Sequence, residues 1–491
     1  MRRGRLLFLF LVVFAFSLAS FSYGLAKGDK EKKEAISWVE ENKAELIKIS
    51  DTLWSYAETA MLEYKSSRFL ISELEKAGFK VERNVAGMPT AFIATYGKGK
   101  PIIGILAEYD ALPSLSQKAV PYKDPVKPGA PGHGCGHNLF GAASVGAAMA
   151  VKYVMEKEKL PGTIRLYGCP AEETLVGKVW MARDGYFNDL DCALVWHPGT
   201  KNQVSYGSSS AMNSFTVTFY GKSSHAAGAP WEGRSALDAV EIMDVAANFL
   251  REHVKPTVRI HYAIIETGKV PNVVPDKATV WYYVRDVDRK GVEEVYNRLL
   301  KIAKAASLAT ETTYEVHLLS GVYNYLGLKT GAEIMYENLK LVGPPKFTPE
   351  DQKFAKRIQK ECGKTEKGLS DKIEPFKPPE PSWGGGSTDV ADVSWITPTI
   401  TMNTACAPLD IPWHSWAVVA SAGSDIGHRG MIVAAKTLAA TAIDFLMKPE
   451  LLKKVRKEWK EKTKGFTYKC AVPKDVPPPV LPEPKERGKE E

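Results

Sequence analysis

The chain has 491 residues, 44% hydrophobic and 25% charged, which suits a soluble globular protein of two or three domains. Its formal charge of +8 is unevenly placed: Arg2, Arg3 and Arg5 supply three charges, and residues 449–491 carry twelve Lys/Arg against eight Asp/Glu. The body between is nearly neutral, which excludes the basic footprint of a nucleic-acid-binding protein.

Residues 1–26, MRRGRLLFLFLVVFAFSLASFSYGLA, have the basic start, apolar run and small residues of an export signal, with cleavage near Ala26. The product would be periplasmic or secreted. An uncleaved single-span anchor is the alternative, because the run approaches spanning length. No later stretch reads as apolar enough to span a bilayer. From residue 27 a first domain begins, with helical spacing over 33–62 (Ile36, Val39, Leu46, Ile47, Leu53). Short apolar runs then alternate with helical patterns, which predicts an α/β sheet. The runs are 101–107, 163–168 and 192–197, the last stopped by Pro198, with a small-residue helix over 139–155.

The texture changes over 211–322, where strands and helices follow the order βαββαβ. This predicts a ferredoxin-like domain inserted into the first, leaving the first domain as 27–210 and 323–475. Residues 343–386 read as a surface excursion with one helix, capped by Thr348 and opened by Pro349. A strand at 397–405 and a long helix at 430–447 restore the α/β pattern, and the Pro-rich tail 476–491 reads as disordered.

The chemistry-bearing residues gather at predicted strand ends. One apolar run leads into Glu108 and Asp110, the next into Glu172 and Glu173, the third into His197. The loop GHGCGHNLFG (132–141) places Cys135 between His133 and His137 where a helix begins. In an open α/β sheet, ligands bind at the carboxyl ends of strands. Thiolate, imidazole and carboxylate together form a ligand set for zinc or a similar divalent ion, and coordination explains a thiol that needs no disulfide partner. Alternatively, Cys135 is a nucleophile activated by a flanking histidine, although such an enzyme has no use for Glu172 and Glu173 beside it. His197 and His414 (in IPWHSW) could each be packing residues, and two adjacent acids are more often a solvated turn. Cys362, Cys406 and Cys470 could pair or lie buried; six cysteines are too few for a disulfide scaffold.

HGCGHN, PAEET, VWHP, GKSSHAAGAP, PNVVP, GSTDVADVSW and PWHSW together resemble the aminoacylase/carboxypeptidase family of metallohydrolases, in its aminobenzoyl-glutamate hydrolase branch. The resemblance runs from about residue 33 to 475. It implies a metallopeptidase sheet between helices, with an inserted dimerisation domain. It further implies two divalent ions (zinc or manganese) held by Cys135, His137, Glu173, His197 and His414. Glu172 would be the general base, Asp110 would orient a ligand, His225 would stabilise the oxyanion, and Asn272 and Arg285 would bind substrate. Glu108 stands where other branches place a metal-binding histidine, and His428 is the runner-up for the last ligand. The implied reaction is hydrolysis of an N-acyl or N-aroyl amino acid. A dipeptidase or aminoacylase on the same fold, or a non-catalytic binding subunit, is the alternative. The implied partner is a second copy of the chain, with a related subunit as a further candidate.

Overall fold

The computed structural model describes residues 28–380 and 385–484, so the expected export signal lies outside the described residues. The helical spacing near the start resolves into two helices, α1 (Asp29–Glu41) and α2 (Lys43–Tyr56). They break at Asn42, whose side-chain amide donates back to the Trp38 carbonyl at 2.8 Å. Then come α3 (Tyr64–Lys76), β1 (Lys80–Arg83), β2 (Phe92–Lys98), β3 (Ile102–Ala107), α4 (His137–Lys157), β4 (Gly162–Gly168), α5 (Gly177–Arg183), β5 (Cys192–Gly199) and β6 (Gln203–Val204).

Residues 211–322 form the second unit: β7 (Ala211–Tyr220), α6 (Ala236–Leu250), β8 (Arg259–Glu266), β9 (Lys277–Asp286), α7 (Arg289–Thr310) and β10 (Thr313–Val322). Its strands pair antiparallel in the order β10-β7-β9-β8, the βαββαβ arrangement. Phe215, Tyr282 and Leu299 belong to a core separate from that of the larger unit. The chain returns through α8 (Lys329–Val342), α9 (Pro349–Glu361), α10 (Val390–Ile396), β11 (Thr399–Ala405), α11 (Trp416–Ala422), α12 (Asp425–Met447) and α13 (Pro449–Lys462).

The larger sheet has the order β1-β2-β4-β3-β5-β11-β6. All six residues of β3 are buried, so both faces of the sheet centre are covered, as the run IIGILA requires of a parallel strand. Against the expectation that nothing after the signal is apolar enough, α4 and α12 have the length and composition to cross a membrane. They are core helices, with 83% and 89% of their apolar windows buried. On α4, a Cβ at Gly146 would lie 2.6 Å from Leu46 Cδ1, so α2 sits directly on the α4 backbone.

Three local expectations need correction. Pro198 does not stop β5, which runs on to Gly199 with Pro198 opposite Thr404 of β11. Beyond Leu194, β5 has lost its β3 neighbour, so the missing N–H leaves no ladder bond unmade on that side. Residues 476–484, expected within a disordered tail, are held: Arg183 donates to the Val476 carbonyl at 2.6 Å and Tyr64 to that of Leu481 at 2.6 Å. The excursion holds its expected helix, α9, but does not stay at the surface. Ile358 of α9 packs with Ile411 and Ala417, backing the loop that carries His414. All six cysteines are unpaired, Cys406 buried and Cys362 and Cys470 half-buried.

Candidate active site

β4, β3, β5 and β11 are mutually parallel, so their carboxyl ends share one rim. β3 delivers Glu108 and Asp110, β4 delivers Glu172 and Glu173, β5 contains His197, and the segment after β11 carries Trp413 and His414. Gly136, at φ +77°, turns the loop into α4. A Cβ there would press on Pro198 at 3.1 Å, so only glycine lets Cys135 and His137 straddle this turn. Glu172 and Glu173 lie on a one-turn 3-10 segment between Ala171 and Leu175, both left-handed at φ 56° and 58°. Such strain persists only where neighbours hold it. Here buried Glu63 accepts from Ala171 N at 2.9 Å, and Asp110 Oδ2 from Glu173 N at 2.9 Å.

Two of the donor groups share Cys135. Cys135, His137 and His197 bring ligand atoms within 4.8 Å of one another, and so do Cys135, Glu173 and His414. Cys135 Sγ is common to both. It lies 3.4 Å from His197 Nε2 and accepts from Trp413 Nε1 at 3.2 Å. His137 Nδ1 is 2.8 Å from Asp110 Oδ1, leaving Nε2 for the site, and His197 Nδ1 is 2.7 Å from the Pro198 carbonyl, leaving its Nε2 likewise. This is how ligating histidines are oriented in metal centres. His414 Nε2 stands 3.5 Å from Glu173 Oε2. A third group, Glu108, His137 and Glu172, also brings ligand atoms within 4.8 Å of one another, with Glu172 Oε2 3.9 Å from His137 Nε2.

Burial governs the electrostatics. It pushes the Cys135 thiol up to about 12, the Glu173 carboxyl up to about 7, and His197 down to about 4. Glu172 is raised well above the carboxylate range by burial and by the charges of Glu108 and Asp389. Sequence reasoning missed a buried charge network beneath the site. Lys178 Nζ is 2.7 Å from Glu108 Oε1 and 2.6 Å from Asp389 Oδ1, with all three side chains at most 1% exposed. A lone lysine in GKVWMAR carries no sequence signal of its partners, which arrive from distant segments.

The remaining predicted residues are divided. Arg285 faces a cavity of about 560 Å³ that opens beside Cys135, Glu172 and His197 and lies between the two units. Arg285 does not pair with its acidic neighbours Asp286 and Asp288. Arg285 Nη1 donates to Ser387 Oγ at 3.0 Å, whereas Asp286 accepts from Thr257 and Val287 N, and Asp288 caps α7. His225 and Asn272 do not line this cavity. They are exposed neighbours on the inserted unit, joined by the bond from Ala226 N to the Asn272 carbonyl at 3.0 Å. His428 is elsewhere, 2.9 Å from Asp51, and is structural.

Divalent cations fit this donor set. Glu108 Oε2, His137 Nε2 and Glu173 Oε1 are buried atoms without a hydrogen bond among the described residues, although His137 Nε2 and Glu108 Oε2 approach each other to 3.3 Å. Such orphans are costly unless a cation satisfies them. An α/β sheet with this rim and a ferredoxin-like insert defines a metal-dependent hydrolase of the metallopeptidase type. Residues 208–311 match the peptidase dimerisation domain model. The chain is 39% identical to a subunit of the p-aminobenzoyl-glutamate hydrolase of Escherichia coli, over 90% of this chain and 98% of that protein. It is 31% identical to the Xaa-Arg dipeptidase of Mus musculus, over 87% and 92%. A solved Bacillus subtilis dinuclear metal-binding peptidase of the M20 family shares the fold, with TM-score 0.55 and 17% identity over 83% of this chain and 99% of that one. The chain belongs to the M20 family and is a hydrolase of amide bonds.

Proposed function

We propose that the chain cleaves the amide of an N-acyl or N-aroyl amino acid bearing a free carboxylate. The observation that carries this is Arg285, a half-buried guanidinium in the cavity whose hydrogen-bond partner among the described residues is the neutral Ser387 hydroxyl. Burial lowers its affinity for its proton, and an incoming carboxylate relieves that cost.

Cys135, His137 and His197 would hold one divalent ion, and Cys135, Glu173 and His414 the other, zinc or manganese. When bound, the ions supply the Lewis acidity that makes a water nucleophilic near neutral pH. Glu172, at the cavity wall and outside the two sets that share Cys135, takes the proton of the attacking water and passes it to the leaving amine. Asp110 fixes the His137 ring throughout.

His225 and Asn272 act on the site of a second copy of the chain, in a homodimer formed through the inserted unit. His225 Nδ1 accepts from Ala227 N and Gly228 N at 3.2 and 3.0 Å, so Nε2 carries the proton of the neutral ring and points outward as a donor. That is the form an oxyanion needs. The export-signal reading of residues 1–26 assigns this activity to the periplasm or exterior.

A dipeptidase is the second reading, favoured by the 31% identity to the mouse Xaa-Arg dipeptidase. Metal-loaded protein incubated with a mixed library of N-acyl amino acids and dipeptides, read by mass spectrometry, tests both. Release of aromatic acids from N-aroyl amino acids supports the first; release of free amino acids only from dipeptides supports the second. No turnover in the presence of two bound ions would leave a binding subunit.

A further inference from the structure

We propose that Trp413 is a positioning residue for Cys135: its indole N–H holds the sulfur in the place where both donor sets can use it. The inference rests on the two-ion reading above. Trp413 Nε1 is 3.2 Å from Cys135 Sγ with its N–H directed at the sulfur, and it has no other acceptor among the described residues. An indole N–H only donates, so the sulfur is the acceptor. A thiolate takes such a bond more strongly than a neutral thiol, because charge assists it.

The surroundings fix the indole for this task. Its ring leans on His197 at a centroid distance of 6.3 Å, and it sits at the margin of the apolar cluster that Ile358 of α9 forms with Ile411 and Ala417. The next residue, His414, is left-handed at φ 55°, and its Nε2 reaches Glu173 at 3.5 Å on the same rim. One dipeptide therefore supplies a hydrogen bond to the shared sulfur and an imidazole to one donor set. With ions in both sets Cys135 would be the ligand they have in common, and the indole contact would fix its rotamer for that role. The same bond withdraws charge from sulfur, so a coordinated thiolate would donate less to the ions and leave them more acidic.

Cobalt(II)-substituted protein reports this directly, because the energy of the sulfur-to-cobalt charge-transfer band follows the charge on sulfur. Trp413→Phe keeps an aromatic ring and removes the donor; its band is expected at lower energy than in the wild type. Trp416→Phe, which removes an indole that does not touch the sulfur, leaves the band in place. A band present in the wild type and unmoved in Trp413→Phe overturns the inference alone. A wild type without any thiolate–cobalt band overturns the two-ion reading and this inference with it. Should Trp413→Phe fail to fold, the zinc-loaded wild type decides: the Trp413 indole proton resonates downfield and exchanges slowly, and a free-indole shift with fast exchange refutes the bond.

Discussion

Arg285 offers the sharpest test of substrate recognition. Among the described residues it has no acidic partner; Nη1 donates to Ser387 Oγ at 3.0 Å, the guanidinium lies 5.7 Å from the Tyr283 ring centroid, and the side chain lines the cavity shared with Glu172 and His197. A carboxylate there would take two parallel N–H bonds from the guanidinium fork. Arg285→Lys keeps the charge and loses the fork, and should lower kcat/KM about tenfold, or about 1.4 kcal/mol. Arg285→Met loses both; with charge-assisted bonds contributing about 1.5–3 kcal/mol each, the loss should exceed about 100-fold. The decisive assay pairs each enzyme with a substrate and its carboxamide analogue. The amide should be cleaved poorly by the wild type, with little further loss in Arg285→Met, because the interaction is already absent. If wild type cleaves acid and amide equally, or if the two losses simply multiply, Arg285 does not bind the carboxylate.

Glu172→Gln should retain both ions, measured by mass spectrometry of metal content, while turnover falls about 100-fold or more; Glu173→Gln should lose metal, and the opposite pattern would exchange their roles. Mixing His225→Ala chains with Glu172→Gln chains should restore about a quarter of wild-type activity through mixed dimers with one complete site; verified mixed dimers without activity would place His225 outside the partner's site. Asp392, buried between Tyr468 and Tyr323 N, is raised by burial to about 7. The unfolded carboxyl ionises first, near 3.9, so the folded state binds more protons and stability falls as pH rises from about 4 to about 7, by at most about 4 kcal/mol. Asp392→Asn, which can still accept from Tyr323 N and donate to the Tyr468 oxygen, should flatten that slope; urea unfolding of both proteins at pH 5 and pH 8 gives the difference, and parallel slopes would dismiss Asp392 as its source.

What the sequence made legible follows from how local each signal is. The ferredoxin-like order came through because every strand and helix of the insert carries its own period, with alternation in β7 and β9 and an apolar stripe in α7. The cap of α9 came through as well: Thr348 Oγ1 accepts from Asp351 N at 3.1 Å, a contact contained in four residues. Pro198 misled because the cost of a proline depends on the neighbouring strand, and β3 ends its pairing with β5 too early to need that N–H. The ligand candidates were visible as residue types at strand ends, but the two sets sharing Cys135 depend on β5 lying between β3 and β11. The least legible features are the partners that make those ligands usable. Glu63 on Ala171, Lys178 between Glu108 and Asp389, and Trp413 on Cys135 each join segments more than 60 residues apart in the chain. Each is a common residue type whose meaning arises only from what the fold sets opposite it. Glu108, Glu172 and Asp389 lie buried around Lys178, and their repulsion is relieved either by protonation, as the raised Glu172 indicates, or by cations. The orphaned atoms of Glu108, His137 and Glu173 face the place where cations would do so. The same ions that the chemistry requires would thus also complete the electrostatics of the folded core, so their removal should weaken the fold as well as the activity.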